Sequence, residues 1–143
     1  MVQVLVRQVS SRDEMTRDRV RRSVFKPGRN DSGNGLSFHL LEAVSREELA
    51  KSIDDYLQVF KAIRQRTHLP GCAAVSYPLN QDLSRSLRVQ LQVTEEPYGN
   101  QHYVVMQESS DDLCPDKSHQ QLLAEDATYN IRSGLGKPPE GST

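Results

Sequence analysis

Two stretches of the chain show the side-chain period of two that is typical of β-strands. Val2–Val9 carries apolar residues on both sides, which predicts a strand covered on both faces. In residues 86–93 the apolar side chains share one side and the polar ones the other, which predicts a strand with one solvated face. We therefore expect Leu91 to be buried, and Leu91→Ala to cost about 2 to 4 kcal/mol by leaving a cavity.

Three shorter extended segments follow the same logic. Residues 36–39 read as the start of a strand, and residues 72–77 read as a buried strand that Pro78 ends. Residues 102–106 are extended again after the turn-forming sequence EEPYGN. Because that turn follows residues 86–93, the two runs predict an antiparallel hairpin.

The clearest helix begins at Ser45. Ser45 and Glu48 have capping-box spacing, and Val44 and Leu49 occupy the positions of a hydrophobic staple. Apolar residues then recur at helical spacing until the sequence LPG at 69–71 ends the helix. They are Leu49, Ile53, Tyr56, Leu57, Phe60 and Ile63. We interpret the aromatic members of this stripe as core residues.

A second helix is predicted near the C-terminus. Ser118 and Gln121 have capping-box spacing, and Gly134 is expected to close the helix as a left-handed cap. Residues 134–143 have no apolar pattern and are predicted to be a flexible tail.

Residues 11–22 predict either a short surface helix or a charged loop. Together the segments predict a single α+β domain over residues 1–133. It has four or five mainly antiparallel strands, one long central helix and one C-terminal helix. The order of the strands does not follow from the pattern.

Composition narrows the classes of protein. Apolar residues make up 36% of the 143 residues and charged residues 26%, which is typical of a folded globular domain. The opening apolar run is too short to span a membrane and lacks a secretory cleavage pattern, so we expect a cytoplasmic protein without membrane contact. Only two cysteines occur, without metal-ligand spacing, so neither a disulfide framework nor a metal site is predicted.

Charge is distributed unevenly along the chain. Residues 1–30 hold eight Lys and Arg against three Asp and Glu, whereas residues 94–126 hold eight acidic residues and one lysine. A basic end could bind a nucleic-acid backbone by neutralising phosphates. The alternative is an ordinary solvated charged surface.

The segment FKPGRNDSGNGLSFH, residues 25–39, is the first candidate site. Its glycines permit a loop whose backbone N–H groups could surround an anion, with Lys26, Arg29 and Asn30 as ligand-binding residues. The glycine spacing fits neither a P-loop nor a dinucleotide fingerprint, and the composition also suits a plain connecting loop.

Histidines provide the second candidate site. Ser37 and His39 share one side of a predicted strand, and His102 and Tyr103 begin another. If the two strands are neighbours, these four side chains line one polar crevice in which His102 and Tyr103 are the candidate catalytic residues. The alternative is structural: His102 partly buried and bonded to the backbone, and His39 solvated.

Two resemblances bear on these sites. The sequence Phe25-Lys-Pro27 followed by Asp31 and Gly35-Leu-Ser37 resembles a motif of short bacterial proteins of unassigned function. Gly35-Leu-Ser-Phe38, with the later Leu87-Arg-Val89 and His102-Tyr-Val-Val105, is more distantly similar to toxins of the ADP-ribosyltransferase-like fold. That likeness implies two small antiparallel sheets that hold nicotinamide adenine dinucleotide between them, near Arg29, Ser37 and His102.

Three hypotheses for function follow. The first is a non-enzymatic module that binds a protein partner through the long helix or the acidic segment, as an accessory protein of a bacterial defence or toxin system. It needs no cofactor. The second is a nucleotide-using transferase or toxin, which would use the dinucleotide. The third is binding of a nucleic-acid backbone by the basic first thirty residues.

Overall fold

The fold is α+β, built on a five-stranded antiparallel sheet. The computed structural model describes residues 1–28, 35–64, 70–108 and 114–140. Across the sheet the strands lie in the order β3-β1-β2-β5-β4, each antiparallel to its neighbour. In chain order they are β1 (Val2–Val9), β2 (Leu36–Ala43), β3 (Gly71–Ser76), β4 (Leu87–Leu91) and β5 (His102–Gln107). The predicted fold class and hairpin are confirmed.

Helices cover both faces of this sheet. They are α1 (Arg46–Arg64), the one-turn α2 (Gln81–Ser84) and α3 (Lys117–Arg132), with 3₁₀ turns at Arg22–Phe25 and Gly99–Gln101. The buried stripe of α1 packs on one face, and α3 with the first 3₁₀ turn packs on the other. The result is a three-layer arrangement with an apolar core on each side of the sheet.

β1 shows why the sequence demands two covered faces. Val4 and Val6 point into the core under α1, while Leu5 and Val9 point into the core under α3. All four are at most 3% exposed. The prediction of a strand buried on both sides is confirmed, because a central strand of a three-layer fold meets apolar atoms above and below.

Arg7 fixes the chain that leads out of β1 toward β2. Its guanidinium donates to the carbonyl oxygens of Val24 at 2.7 Å, Lys26 at 3.0 Å and Ser37 at 3.1 Å. The planar donor fork of arginine suits such a multiple contact. Through Arg7, the first residues of the segment 25–39 are therefore held beside β1 and β2 by hydrogen bonds.

The starts of the two long helices differ in detail from the prediction. At α1 the hydroxyl of Ser45 accepts from the Glu48 amide at 3.2 Å, as a capping box requires, but Val44 is 71% exposed and forms no staple. At α3 the cap is Asp116, whose carboxylate accepts from the His119 amide at 3.0 Å, and not Ser118. A carboxylate satisfies an N-terminal amide better than a hydroxyl, because the helix dipole favours negative charge there.

Residues 11–22 form no α-helix, so the loop alternative is correct. Met15 and Val20 pair across a short antiparallel bridge, and both are buried. The hydroxyl of Thr128 on α3 accepts from the Val20 amide at 2.9 Å and donates to the Val20 carbonyl at 3.2 Å. These tertiary contacts replace the hydrogen bonds that a helix would supply.

Residues 134–140, which belong to the segment predicted to be a flexible tail, contact the sheet. Gly134 does close α3 with a positive φ of 90°. Leu135 is then only 2% exposed, in the core under α1, and Lys137 pairs with Cys72 of β3 through both backbone groups. Leu135 and Pro139 are the buried residues of this segment, too few for a periodic pattern to reveal.

None of the helices in the described ranges combines the length and apolarity needed to cross a bilayer.

The predicted core is wrong at Ile63 and Val93, which are 52% and 60% exposed, and also at Leu91. Leu91 lies at the end of the outermost strand, β4, and is 48% exposed. Alternation assigned it correctly to the side of Leu87 and Val89, but no helix extends over that end of the strand.

A comparison of two leucines tests this packing. Leu5, 0% exposed, should lose about 2 to 5 kcal/mol of unfolding free energy on Leu5→Ala, because the buried site is left with a cavity. Leu91→Ala should now cost less than about 1 kcal/mol, since the site is half open to water. Urea denaturation of both variants measures the difference, and equal losses would contradict the assigned burial.

Candidate functional site

A large open cleft lies at one end of the sheet, where β1 and β4 end and β2 and β5 begin. Its volume is about 1110 Å³. We call it the sheet-end cleft, and define it by residues from five parts of the chain. These are Gln8 of β1, Ser37 and His39 of β2, Tyr56 and Phe60 of α1, Gln92 and Thr94 after β4, and His102 of β5.

His39 and His102 meet in this cleft. They are directly opposite in the pairing of β2 with β5. The amide of Gln92 donates to the His102 carbonyl at 2.8 Å, so the backbone of His102 faces β4 and the pair with His39 is a non-hydrogen-bonded one, in which side chains approach most closely. The ring centroids are 5.3 Å apart at an interplanar angle of 66°. Both side chains are nearly buried, with His39 7% and His102 8% exposed.

The ring of His102 is held in one tautomer. Its Nδ1 lies 2.7 Å from the backbone carbonyl of Gln92. Because a carbonyl oxygen can only accept, Nδ1 must carry the proton. In the neutral ring, Nε2 is then a lone-pair acceptor at the cleft, able to accept a hydrogen bond or a proton.

His39 belongs to a chain of buried hydrogen bonds. The Tyr56 hydroxyl lies 2.8 Å from Nδ1 of His39, and the amide nitrogen of Gln8 donates to the same hydroxyl at 3.1 Å. Since the hydroxyl oxygen accepts from Gln8, its own proton is available for Nδ1. The second amide atom of Gln8, Oε1, is buried and has no hydrogen-bond partner in the part of the chain that the structure describes.

Aromatic rings surround His39 on the side of α1. The centroids of Tyr56, Phe60 and Tyr98 lie 5.3, 5.6 and 6.5 Å from the centroid of His39. Burial raises the pKa of the Tyr98 hydroxyl above its ordinary value, and the nearby Asp55 carboxylate raises it further. Toward α1, His39 is therefore enclosed by aromatic rings that are tilted against it by 47° to 73°.

The turn EEPYGN gives Tyr98 its position. Tyr98 has a φ of 61°, in the left-handed region that residues with a side chain seldom adopt. A Cβ atom on Gly99 would lie 2.0 Å from the Thr94 carbonyl oxygen, so only glycine lets the turn close this tightly. The same turn forms the side of the cleft that carries Thr94.

Only some of the predicted site residues lie in the cleft. Ser37, His39 and His102 line the cleft together, and Lys26 lines it as an exposed side chain. The prediction that Tyr103 lines the same crevice is wrong. Tyr103 pairs with Phe38, and its ring lies 6.4 Å from that of Tyr77 beside the core under α3. Successive residues of a strand point to opposite faces, so Tyr103 cannot act with His102.

Arg29 and Asn30, the other two predicted ligand-binding residues, lie outside the described residues. Gln8 and Tyr56, which line the cleft, were not predicted as site residues. One signal was available for Tyr56, because a tyrosine in a buried helical stripe needs a partner for its hydroxyl. Within the described ranges, no cluster of three or more His, Cys, Asp or Glu side chains could hold a metal ion.

No protein-family model, curated protein or solved structure matches this chain. The geometry of the cleft therefore carries the functional argument. The described strands also form one sheet, where the resemblance to ADP-ribosyltransferase-like toxins implies two.

The hydrogen-bond chain can be tested at Tyr56. Tyr56→Phe removes the hydroxyl between Gln8 and His39 and leaves both without that partner, so we expect the free energy of unfolding to fall by about 1 to 3 kcal/mol. Tyr129→Phe is the matched control, because Tyr129 is 69% exposed and should change stability by less than about 0.5 kcal/mol. Chemical denaturation measures both variants. If Tyr56→Phe is as stable as the wild type, the chain of hydrogen bonds through Tyr56 contributes nothing to stability.

Tyr98 provides a test by titration. Asp55→Asn should lower the pKa of Tyr98 but leave it above the ordinary value of about 10, because burial, the larger cause, remains. Asp54→Asn is the control, since the Asp54 carboxylate accepts from Lys137 at 3.3 Å. NMR of ¹³C-labelled tyrosine follows the titration.

The same shift links Tyr98 to stability. A raised pKa means that folded Tyr98 keeps its proton where the unfolded chain has lost it. Its contribution to stability is therefore complete below about pH 10 and is lost as the pH rises through the pKa of the folded protein. A wild-type unfolding free energy that increased above pH 10 through Tyr98 would contradict the assigned direction.

Proposed function

We propose that the protein is a binding domain for a small polar molecule, which occupies the sheet-end cleft and donates a hydrogen bond to Nε2 of His102. The observation that carries this proposal is the pair of nearly buried imidazoles, His39 and His102, in the wall of an open cleft of about 1110 Å³.

A pair of histidines with only a structural role would stabilise the fold less than two apolar side chains of similar size. Burying a polar ring requires hydrogen bonds to offset lost hydration, and two apolar side chains would fill the same space without that cost. Here Nδ1 of His102 donates one hydrogen bond to the Gln92 carbonyl, while Nε2 has no hydrogen bond to any described residue. Polar groups that break the rules of core packing are concentrated at functional sites.

The surroundings define the class of ligand. His102 offers an acceptor, so the ligand needs an N–H or O–H group. The rings of Tyr56 and Phe60 border the cleft but are only 0% and 2% exposed, so they close the wall behind His39 and leave recognition to the polar groups. A heterocycle that bears an amide or amino group, such as nicotinamide or adenine, supplies the required donor.

The three sequence hypotheses stand differently beside this proposal. The apolar side of α1 is buried against the sheet, and residues 109–113 of the acidic segment 108–117 lie outside the described residues. Binding of a protein partner stays a prediction. Nucleic-acid binding stays a prediction that a salt titration with mixed DNA can test. The dinucleotide contains both heterocycles named above and belongs among the test ligands.

Thermal melting with nicotinamide, adenine and nicotinamide adenine dinucleotide tests the proposal. A ligand at one hundred times its dissociation constant should stabilise the wild type by about 2.7 kcal/mol. His102→Leu should abolish that shift, while losing only about 0.5 to 1.5 kcal/mol of stability for the bond to Gln92. His119→Leu is the matched control and should keep the full shift, since His119 bonds to Asp116 at the start of α3.

Two results would contradict the proposal. A shift of equal size in His102→Leu would mean that the ligand binds elsewhere. No shift with any of the three compounds, in a protein that folds normally, would exclude this class of ligand.

A further inference from the structure

The two edge strands of the sheet, β3 and β4, differ in the hydrogen bonds that their outward-facing backbone groups make with the described residues. At the β3 edge, Cys72 donates to the Lys137 carbonyl and accepts from the Lys137 amide, at 2.6 and 2.8 Å. At the other end of β3, the Ser76 amide donates to the Asp126 carboxylate at 2.7 Å. This edge is closed at both ends by the C-terminal part of the chain.

The β4 edge has no such cover. The Gln92 amide donates to the His102 carbonyl and the Glu108 amide to the Ser86 carbonyl, so even-numbered residues of this strand turn their backbone groups toward β5. The backbone groups of Leu87, Val89 and Leu91 therefore point outward. No described residue pairs with them, and the sheet ends at β4.

Apolar side chains adjoin these outward-pointing backbone groups. Leu91 is 48% exposed and Val93 is 60% exposed. Proline, the residue that most directly blocks an edge, is absent from β4. An edge with free donors, free acceptors and exposed apolar side chains is a template for another strand.

We propose that the β4 edge is a homodimer interface, at which β4 of one copy pairs antiparallel with β4 of a second copy to form one continuous sheet. The proposal is independent of the cleft and of its ligand. Pairing of identical strands about a two-fold axis is the usual symmetry of a homodimer.

The side chains of β4 are self-complementary in this arrangement. With the axis at Val89, Arg88 lies opposite Gln90 of the second copy, and Leu91 lies opposite Leu87. With the axis at Gln90, Arg88 lies opposite Gln92, and Leu91 lies opposite Val89. In both registers the exposed leucine gains an apolar neighbour and the arginine meets an amide.

Only one nearby register opposes like charges. An axis at Arg88 would place the two arginines directly opposite each other, which is unfavourable. A second copy of this chain therefore supplies a matching strand, with no other partner required. An extended peptide from another protein would bind the same edge and is distinguished by the experiment below.

Val89→Pro is the sharpest test. It removes an amide proton that bonds to no described residue, and proline is tolerated on an edge strand when its nitrogen faces outward. Sedimentation equilibrium of the wild type should show the mass rising from one chain toward two with concentration. Val89→Pro should weaken dimerisation at least about tenfold while its far-UV circular dichroism shows the same folded monomer. Val89→Thr, which keeps the N–H group and a β-branched side chain, is the control and should dimerise like the wild type.

Hydrogen exchange gives a second measurement that needs no variant. Exchange of the Leu87, Val89 and Leu91 amides should slow as the protein concentration rises. A wild type that keeps the mass of one chain at high micromolar concentration would overturn the proposal, and would leave the edge open for a peptide from another protein. A Val89→Pro variant that dimerises as tightly as the wild type would overturn it as well.

Discussion

The register between β2 and β5 is the constraint on which the candidate site depends. It places His39 opposite His102 as a non-hydrogen-bonded pair, with ring centroids 5.3 Å apart. Because side chains alternate between faces, a slip of one residue would turn His39 toward α3 and Phe38 toward α1. The same slip would bury the polar Ser37 and His39 in the apolar core under α3, so the packing of Leu36 and Phe38 there also fixes the histidines.

The site uses that fixed framework to hold polar groups where a core would hold apolar ones. Gln8, Tyr56 and His39 form a chain of hydrogen bonds against the aromatic side of α1, and the Gln92 carbonyl orients His102. Rings that are locked by packing and by outer hydrogen bonds provide a preorganised surface for a ligand. The unsatisfied Gln8 Oε1 shows that this part of the molecule is not optimised for stability alone.

The two edges of the sheet also differ in how far their backbone groups are satisfied. The C-terminal segment closes the β3 edge through Lys137, whereas the β4 edge leaves its outward backbone groups unpaired within the described chain. Gln92, which orients His102, directly follows the last residue of β4. A strand added to that edge would therefore lie next to the wall of the cleft, so the proposed interface and the proposed binding site share one border.

Local pattern by itself determined the elements and the fold class. The alternation in Val2–Val9, the stripe along α1 and the turn EEPYGN act over a few residues, so they can be read without knowing the fold. Three of the eight residues that define the cleft were also within reach, since Ser37, His39 and His102 could be selected by residue type and side. Contacts between distant segments decided the rest: the strand order, the partnership of Gln8 with Tyr56, the wrong assignments of Tyr103 and Leu91, and the packing of Leu135. Periodicity assigns each residue a side of its element, but only the assembled layers determine which side becomes a core, a cleft or an open edge.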